Sequence, residues 1–218
     1  MERIIETDLE KLKTETLMAF HMAQSAVDKA LRAVFDRDPA AADTVINGDA
    51  AVDALECALD AEALRMLALY QPVAGDLRTI LGAMRAAGDI ERIGDQAVNI
   101  AERGLLLLEL RPLALPGRLE ELGEATRDFL VKTASCLSDL DLAMARRLCD
   151  EAEDILELNV AVIQEMTEYM RDEARPVERA VQICFIAHGL KRICDQCTNI
   201  AESVVFIREG ACSRHRCD

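Results

Sequence analysis

The sequence predicts an all-α protein made of two tandem, sequence-related three-helix bundles. Three observations carry that expectation. The hydrophobic set supplies 51% of the 218 residues while aromatics supply only 3%, with no Trp, so Ala, Leu, Ile, Val and Met must fill the interior; that composition favours closely packed helices over a sheet. Ten Gly and five Pro are too few for the many turns of a sandwich or barrel. Apolar residues recur at helical spacing along nearly the whole chain, and breakers divide it into six long segments.

The first helix is expected from about Ile4 to Phe35, ending near Asp38-Pro39, and the second from about Ala41 to Tyr70. The third runs from Pro72 to about Glu109. Arg111-Pro-Leu-Ala-Leu-Pro-Gly117 then places two prolines and a glycine in seven residues, which marks a boundary between halves. The fourth helix follows from about Arg118 to Leu140, the fifth from about Leu142 to Arg171 and the sixth from Pro176 to about Glu209. Pro72 and Pro176 sit where a first-turn proline opens a helix, because the N–H that proline lacks is unpaired there anyway. The expected organisation is a first repeat over 1–110, a linker over 111–117, a second repeat over 118–209 and a flexible tail over 210–218.

The halves also agree residue by residue. Arg92-Ile-Gly-Asp-Gln-Ala-Val-Asn-Ile-Ala-Glu102 matches Arg192-Ile-Cys-Asp-Gln-Cys-Thr-Asn-Ile-Ala-Glu202 at eight of eleven positions, which establishes a duplication at an offset of 100. A second echo pairs Asp49-Ala-Ala-Val-Asp-Ala-Leu-Glu56 with Asp150-Glu-Ala-Glu-Asp-Ile-Leu-Glu157. Each half is therefore one copy of a three-helix unit.

Charge and motif content narrow the function. Twenty-five basic against forty acidic residues leave a net charge of −15, which repels phosphate backbones and anionic lipid surfaces, so no nucleic-acid partner is expected. No apolar run approaches a membrane span, and the opening Met1-Glu-Arg-Ile-Ile-Glu6 lacks the basic-then-apolar pattern of a signal peptide; a cytoplasmic chain without membrane insertion is the expectation. Eight Cys in such a chain read as reduced thiols. Cys194-Asp-Gln-Cys197 has CxxC spacing but lies inside a helical pattern with no preceding strand, so packing is favoured over redox chemistry. Cys212, His215 and Cys217 could chelate a soft metal, although a frayed terminus is the plainer reading.

The informative constellation is acidic. Asp49 and Asp53 are four residues apart and share a helix face, as do Glu91 and Asp95. A hairpin folding back about residue 72 sets Asp53 opposite Glu91 and Asp49 opposite Asp95. In the second half a turn near Asp172 and Glu173 sets Asp154 opposite Lys191 and Asp150 opposite Asp195. Glu56, Asp60, Asn99 and Glu102 extend the first stripe. Four carboxylates so placed repel unless protonated, paired or bridged, and hard oxygen ligands suit magnesium, manganese, calcium or oxidised iron. The bland alternative is a pair of solvated helix faces. Lys191 cannot ligate while protonated and reads instead as an internal counter-charge to Asp195 and Asp150. His188, on the face of Asp195, is a conceivable extra ligand, though an ordinary surface histidine is the plainer reading.

A ferritin-like di-iron oxidase would need Glu-x-x-His twice, and the residues three before the histidines are Met18, Phe185 and Cys212. No phosphate loop, nucleophile elbow or HExxH occurs, so an enzyme is not expected.

Glu91-Arg-Ile-Gly-Asp-Gln-Ala-Val-Asn-Ile-Ala-Glu102 and Lys191-Arg-Ile-Cys-Asp-Gln-Cys-Thr-Asn-Ile-Ala-Glu202 closely resemble the duplicated signature of the PhoU family of phosphate-signalling regulators. Leu67-Ala-Leu-Tyr-Gln-Pro-Val-Ala-Gly-Asp-Leu-Arg78 is similar to that family's turn between second and third helices. The resemblance implies two three-helix bundles and acidic E/D-x-x-x-D motifs that hold metal ions such as iron, zinc, manganese or magnesium. Carried over, these fall on Asp49, Asp53, Glu91, Asp95, Asp150, Asp154 and Asp195, with Lys191 departing from the pattern. It also implies a negative regulator of phosphate uptake and of the phosphate-starvation response. The implied partners are a phosphate ABC transporter and the sensor histidine kinase of a two-component system, and the implied assembly is a homodimer. A metal-storage or metal-dependent redox bundle is the alternative.

Overall fold

A computed structural model of the chain describes residues 2–110, 115–171 and 177–210. Regular structure among the described residues is helical throughout. Six helices run in order: α1 (Glu2–Phe35), α2 (Pro39–Tyr70), α3 (Ala74–Glu109), α4 (Gly117–Asp139), α5 (Leu142–Met170) and α6 (Val177–Glu209). Residues 111–114 of the expected linker, the turn with Asp172, Glu173 and Pro176, and the Cys212, His215 and Cys217 tail lie outside the described residues.

Local chemistry sets the helix ends. Asp38 caps α2 by accepting the Ala41 N–H at 3.1 Å, and Pro39 occupies the first helical turn. Arg32, in the last turn of α1, reaches the same Asp38 carboxylate at 3.0 Å and so ties one helix end to the next start. At the far end α2 closes on Gln71 in the left-handed region, φ 48°, with its N–H bonded to the Leu67 carbonyl. This displaces the expected start of α3. Pro72 follows that cap inside a short connection, Ala74 has φ 48°, and the helix opens at Ala74 rather than at the proline. Leu140 ends α4 in the same left-handed manner, and Asp141 caps α5 through the N–H groups of Ala143 and Met144.

α1, α2 and α3 form one bundle and α4, α5 and α6 a second, joined mainly where α3 lies antiparallel along α6, with α1 also touching α4. Because α3 and α6 are each covered on several sides, their small residues matter. Gly82 lies under Ile207, and Gly189 under Ile100, whose Cγ1 would be 3.1 Å from an added Cβ. Polar clasps flank these contacts. Asn199 Nδ2 donates to Asp89 Oδ1 at 3.2 Å, Arg103 Nη1 to Gln182 at 2.8 Å, and Arg78 Nε to the Ile207 carbonyl at 3.1 Å. Arg85 lies over the Phe206 ring at 4.2 Å and Arg103 over Phe185 at 4.1 Å, where a guanidinium meets the negative face of the ring. The apolar core, including Leu12, Phe20, Leu59, Ile93, Leu122 and Ile193, is continuous through both bundles.

Candidate functional site

The α2–α3 hairpin is an antiparallel pair about its 71–73 connection, so the residues of α2 near position 49 lie beside those of α3 near 95. Gly94 makes the approach close: an added Cβ there would meet Val52 Cγ1 at 3.4 Å and Asp49 Oδ1 at 3.9 Å. The apolar face of α3, with Ile90, Gly94, Ala97 and Ala101, is buried, and Asp95 stands on the exposed side beside it.

The four carboxylates of the first repeat share one electrostatic field. Partial burial, then the charges of Asp53 and Asp95, push the Asp49 carboxyl above its ordinary range. Glu91 is pushed up likewise, by burial first and then by Asp95, Asp53 and Glu56, with Arg92 opposing. The positions that the hairpin sets opposite, 49 with 95 and 53 with 91, thus repel one another across the helix pair. Asp53 and Asp95 are exposed, whereas Asp49 and Glu91 are half-buried. Beside Asp49 a cavity of about 280 Å³ opens between α1, α2 and α3, with Met22, Val45, Val52 and Val98 on its walls and Lys29 on its lining. Asn99 donates to the Asp95 main-chain carbonyl at 2.9 Å, so it braces the helix rather than the carboxylate.

Hard oxygen donors of this kind fit a hard divalent cation by type. They are not gathered into a ready-made cage: no three His, Cys, Asp or Glu side chains among the described residues converge on a point that could hold a metal ion. Binding in the first repeat would need Asp49, Asp53, Glu91 and Asp95 to draw together on exposed helix faces, supplying charge and oxygen rather than a fixed geometry.

The second repeat is organised differently. Lys191 Nζ donates to Asp195 Oδ2 at 2.7 Å, an i, i+4 pair along α6 in which the side chains are 28% and 43% exposed. Asp150 and Asp154 are exposed on α5, and among the described residues no ion pair links Lys191 to Asp150. His188 is exposed as well. Where the first repeat concentrates unneutralised acid, the second supplies its own cation, and the donor set of Asp150, Asp154 and Asp195 does not fit a metal while Lys191 stays protonated.

Burial deep in α6 raises the Cys194 thiol to about 12, against a bond to Thr126 that works the other way; Cys197 is pushed up by burial in the same manner. Both thiols are packed in the core and lack the accessible thiolate that CxxC redox chemistry requires. Two buried charges lie outside the acidic stripes. Asp89, 7% exposed, is held by Arg92 at 3.1 Å and by Asn199 at the α3–α6 contact; its counterpart at the offset of 100 is Gly189, so comparison of the repeats carries the signal. Arg179, 1% exposed, has Thr79 as its counterpart.

A family profile described as the PhoU domain matches residues 18–104 and again 119–204. The chain is 32% identical, over 96% of its length and 95% of the relative's, to a phosphate-specific transport system accessory protein PhoU homolog from Aquifex aeolicus. It is 28% identical to the phosphate-specific transport system accessory protein PhoU of Escherichia coli K12, over 95% of this chain and 86% of that one. The crystal structure of PhoU from Pseudomonas aeruginosa superposes with a TM-score of 0.90 at 26% identity, covering 94% of this chain and 99% of the other.

Proposed function

The chain belongs to the PhoU family, and from that membership we propose that it is a negative regulator of phosphate uptake and of phosphate-starvation signalling. The observation that carries the reading is the doubled match itself, which spans both repeats and includes the two Arg-Ile-x-Asp-Gln segments on α3 and α6. In this reading the protein works at the cytosolic face of the membrane, by contact with a phosphate ABC transporter and a sensor histidine kinase. No helix among the described residues is long and apolar enough to cross a membrane. The net charge of −15 supports docking on basic protein surfaces rather than on anionic lipid.

The first-repeat carboxylates would add a cation-responsive element. Asp49 and Glu91, raised first by burial and then by the neighbouring carboxylates, are the groups with most to gain from a divalent ion, because the ion offsets the repulsion and supplies a counter-charge to a partly buried anion. An ion bound by Asp49, Asp53, Glu91 and Asp95 would reduce the negative charge of that surface, and so tune how strongly it docks on a basic partner patch. Asp150, Asp154 and Asp195 would take a second ion only after Lys191 gave up its contact with Asp195.

Deleting the gene tests the role: phosphate-starvation genes are expected to be expressed at ample phosphate, and unchanged expression would refute it. The cation element has its own test. Purified protein should take up manganese or iron stoichiometrically, and the quadruple change Asp49→Asn, Asp53→Asn, Glu91→Gln, Asp95→Asn should abolish uptake without unfolding the chain.

A further inference from the structure

Far from the carboxylates, the ends of α1 and α3 meet the starts of α4 and α6 around a cavity of about 170 Å³. Arg179, Arg37, Glu120, Phe35, Gly104 and Leu115 are among its lining residues. Arg179, the third residue of α6, is 1% exposed, and its Nε and Nη1 have no hydrogen-bond partner. Arg37 stands at the end of α1 with φ 54°, and its Nη2 reaches the Leu108 carbonyl only at 3.5 Å. The two guanidiniums lie within each other's field: burial and then the Arg37 charge pull Arg179 below its ordinary range, while Tyr169 works the other way. Neither arginine forms an ion pair with Glu120 or any other carboxylate among the described residues.

A guanidinium stays protonated in a protein, so Arg179 carries a full charge in a nearly dry place with two of its nitrogens unsatisfied. Such a charge calls for a counter-charge, and a second cation beside it makes the demand greater. Water can satisfy N–H groups but brings no charge. The helix termini do not settle the matter, because two C-terminal and two N-terminal ends meet here and their dipoles oppose. We propose that this cavity binds one small oxyanion of the phosphate or sulfate class, with Arg179 as its inner wall and Arg37 as its mouth. The size agrees. At about 30 Å³ per water the space equals roughly six waters, and it falls below the roughly 300 Å³ at which pockets for larger organic ligands begin. Glu120 counts against the anion, one negative charge facing two positive ones, and therefore tunes the affinity downward.

The site does not depend on the regulatory reading, since either can fail alone. The test uses the full chain in buffer free of phosphate and sulfate, titrated separately with inorganic phosphate, sulfate and chloride at matched ionic strength, with melting and calorimetry as readouts. One oxyanion per chain is expected, with a melting temperature about 5–10 °C above the chloride control at a hundredfold excess over Kd. Arg37→Gln should weaken binding at least tenfold and, because it removes the charge that crowds Arg179, should not lower the anion-free melting point, while Glu120→Gln should tighten binding. Arg179→Met should abolish the response; should that variant not fold, the opposed effects of Arg37→Gln and Glu120→Gln decide. Phosphate and sulfate also stabilise proteins non-specifically by exclusion from the surface. Equal stabilisation of wild type and Arg37→Gln, or no advantage over chloride, would therefore overturn the proposal. A response to one oxyanion alone identifies which of the two is the ligand.

Discussion

Exchanging the residues at positions 91 and 191 tests whether the two repeats differ electrostatically as described. Glu91 stands four residues before Asp95, just as Lys191 stands four before Asp195, and Lys191 Nζ lies 2.7 Å from the Asp195 carboxylate. Glu91→Lys removes a like-charge i, i+4 contact of about 0.2–0.5 kcal/mol. It adds a partly exposed pair of about 0.3–0.5 kcal/mol, at the low end because the lysine precedes the acid. Relief of the repulsion from Asp53 and Glu56 across the hairpin is of the same order, so the variant should gain roughly 1 kcal/mol. Lys191→Glu should lose about as much without the cross-helix part, roughly 0.5–1 kcal/mol. At about 2–4 °C per kcal/mol for a chain of this size, the two variants should melt about 3–8 °C apart. The assay is thermal unfolding by circular dichroism at low ionic strength with chelator present, repeated in 1 M salt, where the separation should shrink as the Debye length falls to about 3 Å. Adding manganese should then stabilise wild type and Lys191→Glu but not Glu91→Lys. A metal-free Glu91→Lys variant that melts at or below wild type would refute the reasoning, because repulsion at the first carboxylate group would then not be a cost to the fold.

The other expectations are simpler. Gly88 has open space where a Cβ would go, so Gly88→Ala should stabilise α3 by about 0.5–1 kcal/mol, whereas Gly82→Ala drives its Cβ against Ile207 and should be about 2 kcal/mol less stable than the Gly88 variant in denaturant melts. Asp8 accepts from Arg65 at 2.6 Å and from Tyr70 at 2.8 Å, which together hold its carboxyl below the usual range. A depressed folded value means that its contribution is present above the ordinary carboxyl range and disappears as pH falls through the lowered value. Asp8→Asn should accordingly reduce stability at neutral pH and converge with wild type at strongly acid pH, as pH-dependent melting would record. Thiol labelling of the native protein at neutral pH should modify exposed Cys57 while sparing buried Cys136, Cys194 and Cys197, which should react only after denaturation.

The helix plan was legible because long amphipathic repeats and a few breakers leave little choice of architecture. The start of α3 was not. Pro72 carries the mark of a first-turn residue, yet Gln71 closes α2 in the left-handed region and the chain needs three residues before it can turn back. The opposition of Asp49 with Asp95 followed from counting along a hairpin, since helix geometry fixes which levels meet. Whether those carboxylates converge on a point depends on side-chain torsions at a half-exposed surface, which no residue pattern encodes. Lys191 showed as an interruption of the acidic set, and its partner proved to be Asp195 along the helix rather than Asp150 across it. Arg179 left no trace in periodicity, because a lone arginine near a helix start reads as solvent-exposed until the neighbouring bundle covers it.

The antiparallel lie of α3 along α6 is the geometry two separate copies would adopt around a twofold axis. Joining them in one polypeptide removes the obligation that every mutation appear twice. A lysine at position 191 can accompany a glutamate at 91, and an aspartate at 89 a glycine at 189, combinations that a true symmetric pair could never hold. Covalent linkage therefore gives this molecule two unlike ends, so a protein docking at one of them meets a surface that the other does not offer.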